Sequence, residues 1–263
     1  MRFSLWFLYA FVFLSFFTPR FLSAWQAADT LTPRSVDLGV TDESLIDLFM
    51  PAMPGFGGSS EEMLREQSVK PFLMPVRRQL FYEAGICQSL ADALEFYLNY
   101  TRNYKQNLSP DFILLNMEKS DVKDALGVLA EEGTVDATIV PYGSQRLPSS
   151  VNFVDKYHIV NFLELYRADS RNMQKIFATR KSLMRGNPVV VLLQLEEGTL
   201  PPLPEGIQPA DSYAFLVVGF DQEREAFELR STFGPDWGRF GYAWIGYKDF
   251  ARLVQGGYVL LPE

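Results

Sequence analysis

The chain has 263 residues, 48% of them hydrophobic and 21% charged. That length suits one large domain or two small ones, and the apolar share excludes wholesale disorder. The formal net charge is −8, the pI is near 4.9 and no basic run appears, which excludes a nucleic-acid partner as the main function. One cysteine, Cys87, and one histidine, His158, cannot furnish a zinc site, so neither a metal nor a cofactor is expected.

Residues 1–24 read as a signal peptide. Arg2 supplies a short positive start, Phe3 to Phe17 is almost entirely apolar, Pro19-Arg20 breaks the run, and Leu22-Ser23-Ala24 offers a small-residue cleavage site. The run is short for a membrane span, and no later one is long enough. The expectation is a secreted or periplasmic protein, membrane-anchored if the segment is not cleaved. In such a compartment a single cysteine forms no internal disulfide, so Cys87 stays buried, pairs with another molecule or reacts. Asn99-Tyr100-Thr101 and Asn107-Leu108-Ser109 fit the glycosylation pattern of a eukaryotic exported protein.

Residues 25–70 read as an N-terminal extension with short helices. Trp25 to Val40 is extended. Thr41 to Phe49 is a helix with Thr41 as its cap. Pro51 to Gly58 is a loop, and Ser59-Ser60-Glu61-Glu62 opens a second short helix with a capping-box pattern. Phe72 to Arg78 is extended and leads into Gln79.

Cys87 follows a Gly85-Ile86 step and precedes apolar residues at helical spacing: Leu90, Ala91, Leu94 and Leu98. This pattern predicts a helix from Cys87 to about Tyr100. A thiol at a helix start has a lowered pKa and an exposed sulfur, which suits a nucleophile; a packed structural cysteine fits the same pattern. Ser109-Pro110-Asp111 is a strong helix start. A further helix from Ser120 buries Val122, Ala125, Leu126 and Leu129 and stops at Gly133.

Beyond about Gly143 the pattern turns to strands. These are expected at Tyr157 to Leu165, Pro188 to Leu195, Tyr213 to Phe220, Ala226 to Ser231, Gly241 to Ile245 and Gly257 to Leu261. A helix from Asp169 to Arg185, with Met173, Ile176, Phe177, Leu183 and Met184 as its apolar positions, ends at Gly186. Glu196 to Asp211 is a proline-rich loop, and Asp221 to Glu225 a hairpin turn. A helical half followed by a β half is an α+β layout with a cleft between the halves.

These pieces, in this order, resemble the papain-like cysteine peptidases of the C1 family. Val76-Arg77-Arg78-Gln79 is similar to the family's oxyanion-glutamine segment. Gly85-Ile86-Cys87 is similar to its nucleophile segment, with Gln88 where tryptophan is usual. Leu108-Ser109-Pro110 matches the next helix start, and the stretch from Ser182 to Val191 matches a helix-Gly-Pro-Val-strand passage. Tyr213 to Asp221 resembles the family's His-Ala strand, with Tyr213 in the histidine position. Leu229 to Gly234, followed by Trp237-Gly238 and Gly241-Tyr242, resembles the Asn-Ser-Trp-Gly segment, with Ser231 in the asparagine position and Phe233 in that of the tryptophan.

The resemblance covers about residue 72 to the C-terminus. It implies a papain-like domain over 71–263, with a helical half at 71–143 and a β half at 144–263. It also implies a pseudoenzyme. The family's histidine takes the thiol proton and then stabilises the thiolate. Tyrosine ionises near ~10 and cysteine near ~8.5, so a neutral tyrosine does not replace the base. Loss of a catalytic base costs on the order of 10⁴- to 10⁶-fold in rate. Gln79, the candidate oxyanion donor, stands eight positions before Cys87, about two more than is usual in the family, which counts against that role.

Alternatives stand beside each candidate. Cys87 is a residual nucleophile, a redox thiol or a packed relic. Gln79 is an oxyanion donor or a polar loop residue. Tyr213 contacts a ligand or fills the space a histidine left. His158 is a displaced base or a satisfied structural residue. Phe233, Trp237, Phe240 and Tyr242 form a peptide-binding wall or part of the core. The implied function is a peptide- or protein-binding module with its ligand in the cleft. An unusual cysteine peptidase or hydrolase using Cys87 with a base from elsewhere is the alternative, and a thiol attachment or redox site is a third.

Overall fold

The structure is a computed structural model that describes residues 38–263 except positions 59, 81, 103, 208 and 209, and leaves aside the side chains at 62, 82 and 83. The expected signal peptide at 1–24, and the part of the extension up to residue 37, lie outside the described residues.

Three short elements open the described chain. Helix α1 spans Glu43–Phe49, and its cap is Asp42 rather than Thr41: Asp42 Oδ1 accepts from the Ser44 amide at 2.9 Å. A carboxylate satisfies an orphan amide and also faces the positive end of the helix dipole, so it wins over the neighbouring hydroxyl. Helix α2 spans Glu61–Arg65, opened by Ser60 Oγ accepting from the Met63 amide at 3.3 Å. Strand β1, Glu66–Ser68, has no strand pattern of its own. Partner backbone creates it.

Helix α3, Tyr82–Arg102, begins five residues earlier than the sequence predicts. Glycine inside a helix costs roughly 1 kcal/mol against alanine, and here close packing explains it: a Cβ on Gly85 would collide with Gln79 Oε1 and stand 3.3 Å from Thr232 Oγ1. The Gly85-Ile86 step is thus a close approach within the helix, not its start. Helix α4, Pro110–Asn116, is capped as expected, with Ser109 Oγ accepting from the Phe112 amide at 3.1 Å. Helix α5, Val122–Glu131, buries Val122, Ala125, Leu126 and Leu129, as the spacing predicts, and is capped by Asp121. It ends at Gly133, whose φ of 73° few other residues adopt cheaply.

The second half supplies β2 (Ile159–Arg167), α6 (Asn172–Met184), β3 (Val189–Leu193), β4 (Tyr213–Asp221), β5 (Ala226–Arg230), β6 (Tyr242–Gly246), α7 (Tyr247–Leu253) and β7 (Val254–Pro262). Helix α7 escapes the sequence reading, being barely two turns between two strands. Among the described residues the strands form one sheet in the order β2-β7-β3-β4-β5-β6, with β1 pairing β4 beside this path. Every strand pair in it is antiparallel. The outer edge of β2 is met by Val40, whose amide donates to Phe162 O and whose carbonyl accepts from the Glu164 amide, each at 2.9 Å.

Strand alternation divides the core into two layers. Ala214, Leu216 and Val218 of β4 pack with Leu90 and Leu94 of α3 and with the buried face of α5. Tyr213, Phe215 and Val217 point the other way, into a layer with Leu183, Phe233, Trp237 and Phe250. Helix α6 departs from its apolar pattern. It buries Lys175, Thr179 and Ser182 beside Leu183, while Met173 and Phe177 stand exposed. The reason is Lys175, whose ammonium donates to the carbonyls of Ala168, Ala251 and Val254 at 2.8, 3.1 and 3.1 Å and so ties α6 to the end of α7. No helix among the described residues is long and apolar enough to cross a membrane.

Candidate functional site

Cys87 lies in the second turn of α3, not at its first residue, and is fully buried. Its sulfur meets Met117 Sδ at 3.3 Å within the layer that α3 shares with α4 and α5. The sequence expectation of a sulfur exposed above the core is therefore overturned. The five preceding residues continue the helix, which carries Cys87 inward.

Gln79 is brought to α3 by the close approach at Gly85. Its amide donates to Thr232 O at 2.6 Å and its Oε1 accepts from Thr232 Oγ1, while its Nε2 is buried with no hydrogen-bond partner among the described residues. Gln79 thus lies in the loop ahead of α3 and is buried and anchored there, despite the long spacing to Cys87. The segment is also stitched by an isolated bridge between Arg78 and Phe233.

Tyr213 and Ser231 sit on neighbouring strand ends. The Tyr213 hydroxyl accepts from the Ala210 amide at 3.0 Å, and its ring meets that of Phe233 edge-on at 5.8 Å between centroids. Ser231 is fully buried; its amide donates to Gly241 O at 2.9 Å and its Oγ accepts from the Phe233 amide at 3.4 Å. The structure therefore gathers Gln79, Thr232, Ser231, Phe233 and Tyr213 around the end of β5. Cys87 and Tyr213 belong to opposite core layers.

His158 stands elsewhere, just ahead of β2. Its ring lies 3.0 Å from where a Gly133 Cβ would be, at the end of α5. Among the described residues no group of three or more His, Cys, Asp or Glu is placed to hold a metal. Of the four aromatics, Phe233, Trp237 and Tyr242 are core, while Phe240 is 77% exposed. The Asn99 glycosylation pattern fails on burial, since its Oδ1 accepts from the Gln106 amide at 2.6 Å inside the fold. Asn107 is exposed, with its Oδ1 held by Arg77 Nη1 at 2.7 Å.

A buried ionic seam, which the sequence reading missed, supports this region. Residues 85, 88, 89, 92, 95 and 99 share one face of α3; Gln88, Ser89, Asp92, Glu95 and Asn99 are all buried there. Arg230 of β5 donates through Nε to Asp92 Oδ2 at 2.7 Å, and also to Met74 O, Pro75 O and the Tyr242 hydroxyl. Arg77 Nη2 bridges Asp92 and Glu95 at 2.8 and 2.9 Å. Burial works against the Asp92 carboxylate, yet Arg230 and Arg77 outweigh it and hold Asp92 below the ordinary range. Glu95 goes the other way. Burial, reinforced by the Asp92 charge, pushes it up to about 8 against the pull of Arg77. The signal that could have found the seam is the run of polar residues at helical spacing inside an otherwise apolar helix.

No protein-family profile matches the sequence, and no curated protein matches it. Solved structures do match. Xylellain, a cysteine protease from Xylella fastidiosa, superposes with a TM-score of 0.60 at 18% identity, over 85% of this chain and 95% of that one. The Carica candamarcensis cysteine protease CMS1MS2, in complex with E-64, gives 0.58 at 16% identity over 75% and 98%. Procathepsin L 3 of Tenebrio molitor larval midgut gives 0.59 at 16% identity over 83% and 78%. The helical N-terminal region followed by an antiparallel sheet is thus the papain-like α+β fold, which this chain shares with cysteine proteases at low sequence identity.

Proposed function

We propose that the chain is an exported peptide- or protein-binding module on a papain-like fold that does not cleave peptide bonds. The fold implies a peptide-binding cleft. The observation that carries the loss of cleavage is Tyr213. It stands in the position the resemblance gives to the histidine, buried against Phe233, with its hydroxyl held by a backbone amide. A thiol needs a base to remove its proton and a path to the carbonyl carbon. Tyr213 carries a phenol where an imidazole would be needed, the only imidazole of the chain packs against Gly133, and the Cys87 sulfur is enclosed. The export reading rests on the pattern of residues 1–24, and N-terminal sequencing of the chain recovered outside producing cells tests it.

One observation favours the second reading, a cysteine hydrolase with a base from elsewhere. The side-chain amide of Gln79, whose Oε1 faces Gly85 two residues before Cys87, has a buried Nε2 with no hydrogen-bond partner among the described residues, the kind of donor an oxyanion position uses. Incubation of the folded chain with E-64 and with a fluorogenic peptide, up to pH 8, separates the two. The expected result is no adduct by intact mass, no hydrolysis, and peptide binding that survives Cys87→Ala. An adduct on Cys87 together with hydrolysis lost in Cys87→Ala overturns the binding-only reading.

A further inference from the structure

The turn from Trp237 to Tyr242 holds an aromatic residue at a conformational cost. Phe240 has φ 57°, in the left-handed region, a choice worth roughly 1–2 kcal/mol against a non-glycine residue. It is 77% exposed, so burial of its ring does not offset that cost. The turn is fixed by backbone bonds: Gly241 N–H to Trp237 O at 2.8 Å, Arg239 N–H to Tyr242 O at 2.7 Å and Tyr242 N–H to Arg239 O at 3.2 Å. The neighbouring Arg239 is exposed and in no ion pair among the described residues.

This turn leads into β6, which ends the sheet. The amide of Ser231 donates to Gly241 O and that of Tyr247 to Glu225 O, so residues 241, 243, 245 and 247 direct their backbone groups at β5. By the antiparallel alternation, residues 242, 244 and 246 direct theirs outward. The groups of Tyr242 are taken by Arg239. Trp244 therefore turns both its N–H and its C=O to the open edge, where β6 has no further strand among the described residues. Beside it lies a cavity of about 690 Å³ lined by Lys70, Arg224, Glu228, Arg239, Phe240 and Trp244, among others. Lys70 pairs with Glu228 at 2.5 Å, and Arg224 pairs with Asp221 at 2.9 Å while lying 5.2 Å over the Trp244 ring. Three cations face two carboxylates here, on a chain whose net charge is −8.

We propose that the outer edge of β6 docks an acidic segment of a partner protein, which adds as an extended strand beside Trp244 and sets its carboxylates against Arg239, Arg224 and Lys70. An unpaired edge supplies the main-chain hydrogen bonds of strand addition, and alternate side chains of the guest fall into the cavity. The excess positive charge selects an acidic guest, and the held-out Phe240 ring gives its apolar atoms a surface. The inference rests on the β6 edge and its charges, and does not depend on the cleft reading above.

The test uses the full chain and three labelled octapeptides: an alternating Glu-Thr peptide, its Lys-Thr counterpart, and the Glu-Thr peptide N-methylated at every residue. Fluorescence anisotropy should show the acidic peptide binding at least about tenfold more tightly than the basic one. N-methylation should abolish binding, because it removes the donors of the added strand. Arg239→Ala and Arg239→Glu, both at an exposed position, should weaken binding progressively with circular dichroism unchanged, and exchange of the Trp244 amide should slow when peptide is bound. Cys87→Ala should leave all of this unaltered. Equal binding of all three peptides, no binding of any, binding of the acidic peptide without protection of Trp244, or occupation of the edge by a second copy of the chain each overturns the proposal.

Discussion

Arg230 Nε lies 2.7 Å from Asp92 Oδ2, and both side chains are 1% exposed. This contact joins β5 to α3 and hence the sheet to the helical layer. Arg230 also holds Met74 O and Pro75 O, so one guanidinium positions the segment that runs on to Gln79.

Removing one member of such a pair leaves a buried charge uncompensated. Asp92→Asn should cost about 3–5 kcal/mol of stability, read by urea denaturation. The double variant Asp92→Leu with Arg230→Met should recover a large part of that loss, since it removes both charges. A double variant no better than the single one would show that the contacts of Arg230 to backbone carbonyls matter more than the pair.

Glu95 makes stability depend on pH. Its carboxyl is raised from an ordinary 4.5 to about 8 in the fold, by burial first. Between those values the folded state binds more protons than the unfolded one, so this group's contribution is complete below about 4.5 and is lost as pH rises through about 8. Unfolding midpoints measured from pH 5 to 9 should fall with pH, and Glu95→Gln should flatten that slope. Asp92 has the opposite sign: it is held low, so its contribution is present above the ordinary carboxylate range and disappears as pH falls through its folded pKa.

Gly85→Ala tests the close approach that anchors Gln79. The new methyl group meets Gln79 Oε1 and lies 3.3 Å from Thr232 Oγ1. Overpacking of this kind costs about 1–3 kcal/mol, against the small gain alanine brings inside a helix. The melting temperature should fall, and the Gln79 side-chain amide resonances should move as it leaves Thr232.

Lys175→Met should destabilise the chain by about 1–3 kcal/mol, because three carbonyls lose their donor while the apolar stem is kept. Hydrogen exchange should localise the loss to α7 and the start of β7.

The fold was legible wherever one face of an element is apolar and its ends carry caps. Helices α4 and α5 are examples: Ser109-Pro110-Asp111 opens the first, and the four apolar residues of the second are its buried ones. Strand β4 was legible as an unbroken apolar run because both its faces are covered. Elements that depend on distant partners were not. Strand β1 exists through its pairing with β4, and α6 buries a lysine because three carbonyls from other elements converge on it. At the site, Gln79, Ser231, Phe233 and Tyr213 do gather, while the depth of Cys87 was hidden, because nothing local tells a helix start from a helix's second turn. Arg77, Asp92, Glu95 and Arg230 were passed over, since charge in a sequence reads as surface until a partner is known.

The bond between Val40 and β2 bears on how far the chain tolerates trimming. With Gly39 tied by its amide to Asn161 Oδ1 at 2.8 Å and Val40 paired on both sides of Leu163, these two residues shield one flank of the sheet. A protease cut, or an expression boundary, placed after position 40 would strip that guard and free the Phe162 carbonyl and the Glu164 amide on the edge of β2 that faces away from β7, groups ready to recruit a neighbouring strand. A boundary placed before Leu38 keeps the guard in place.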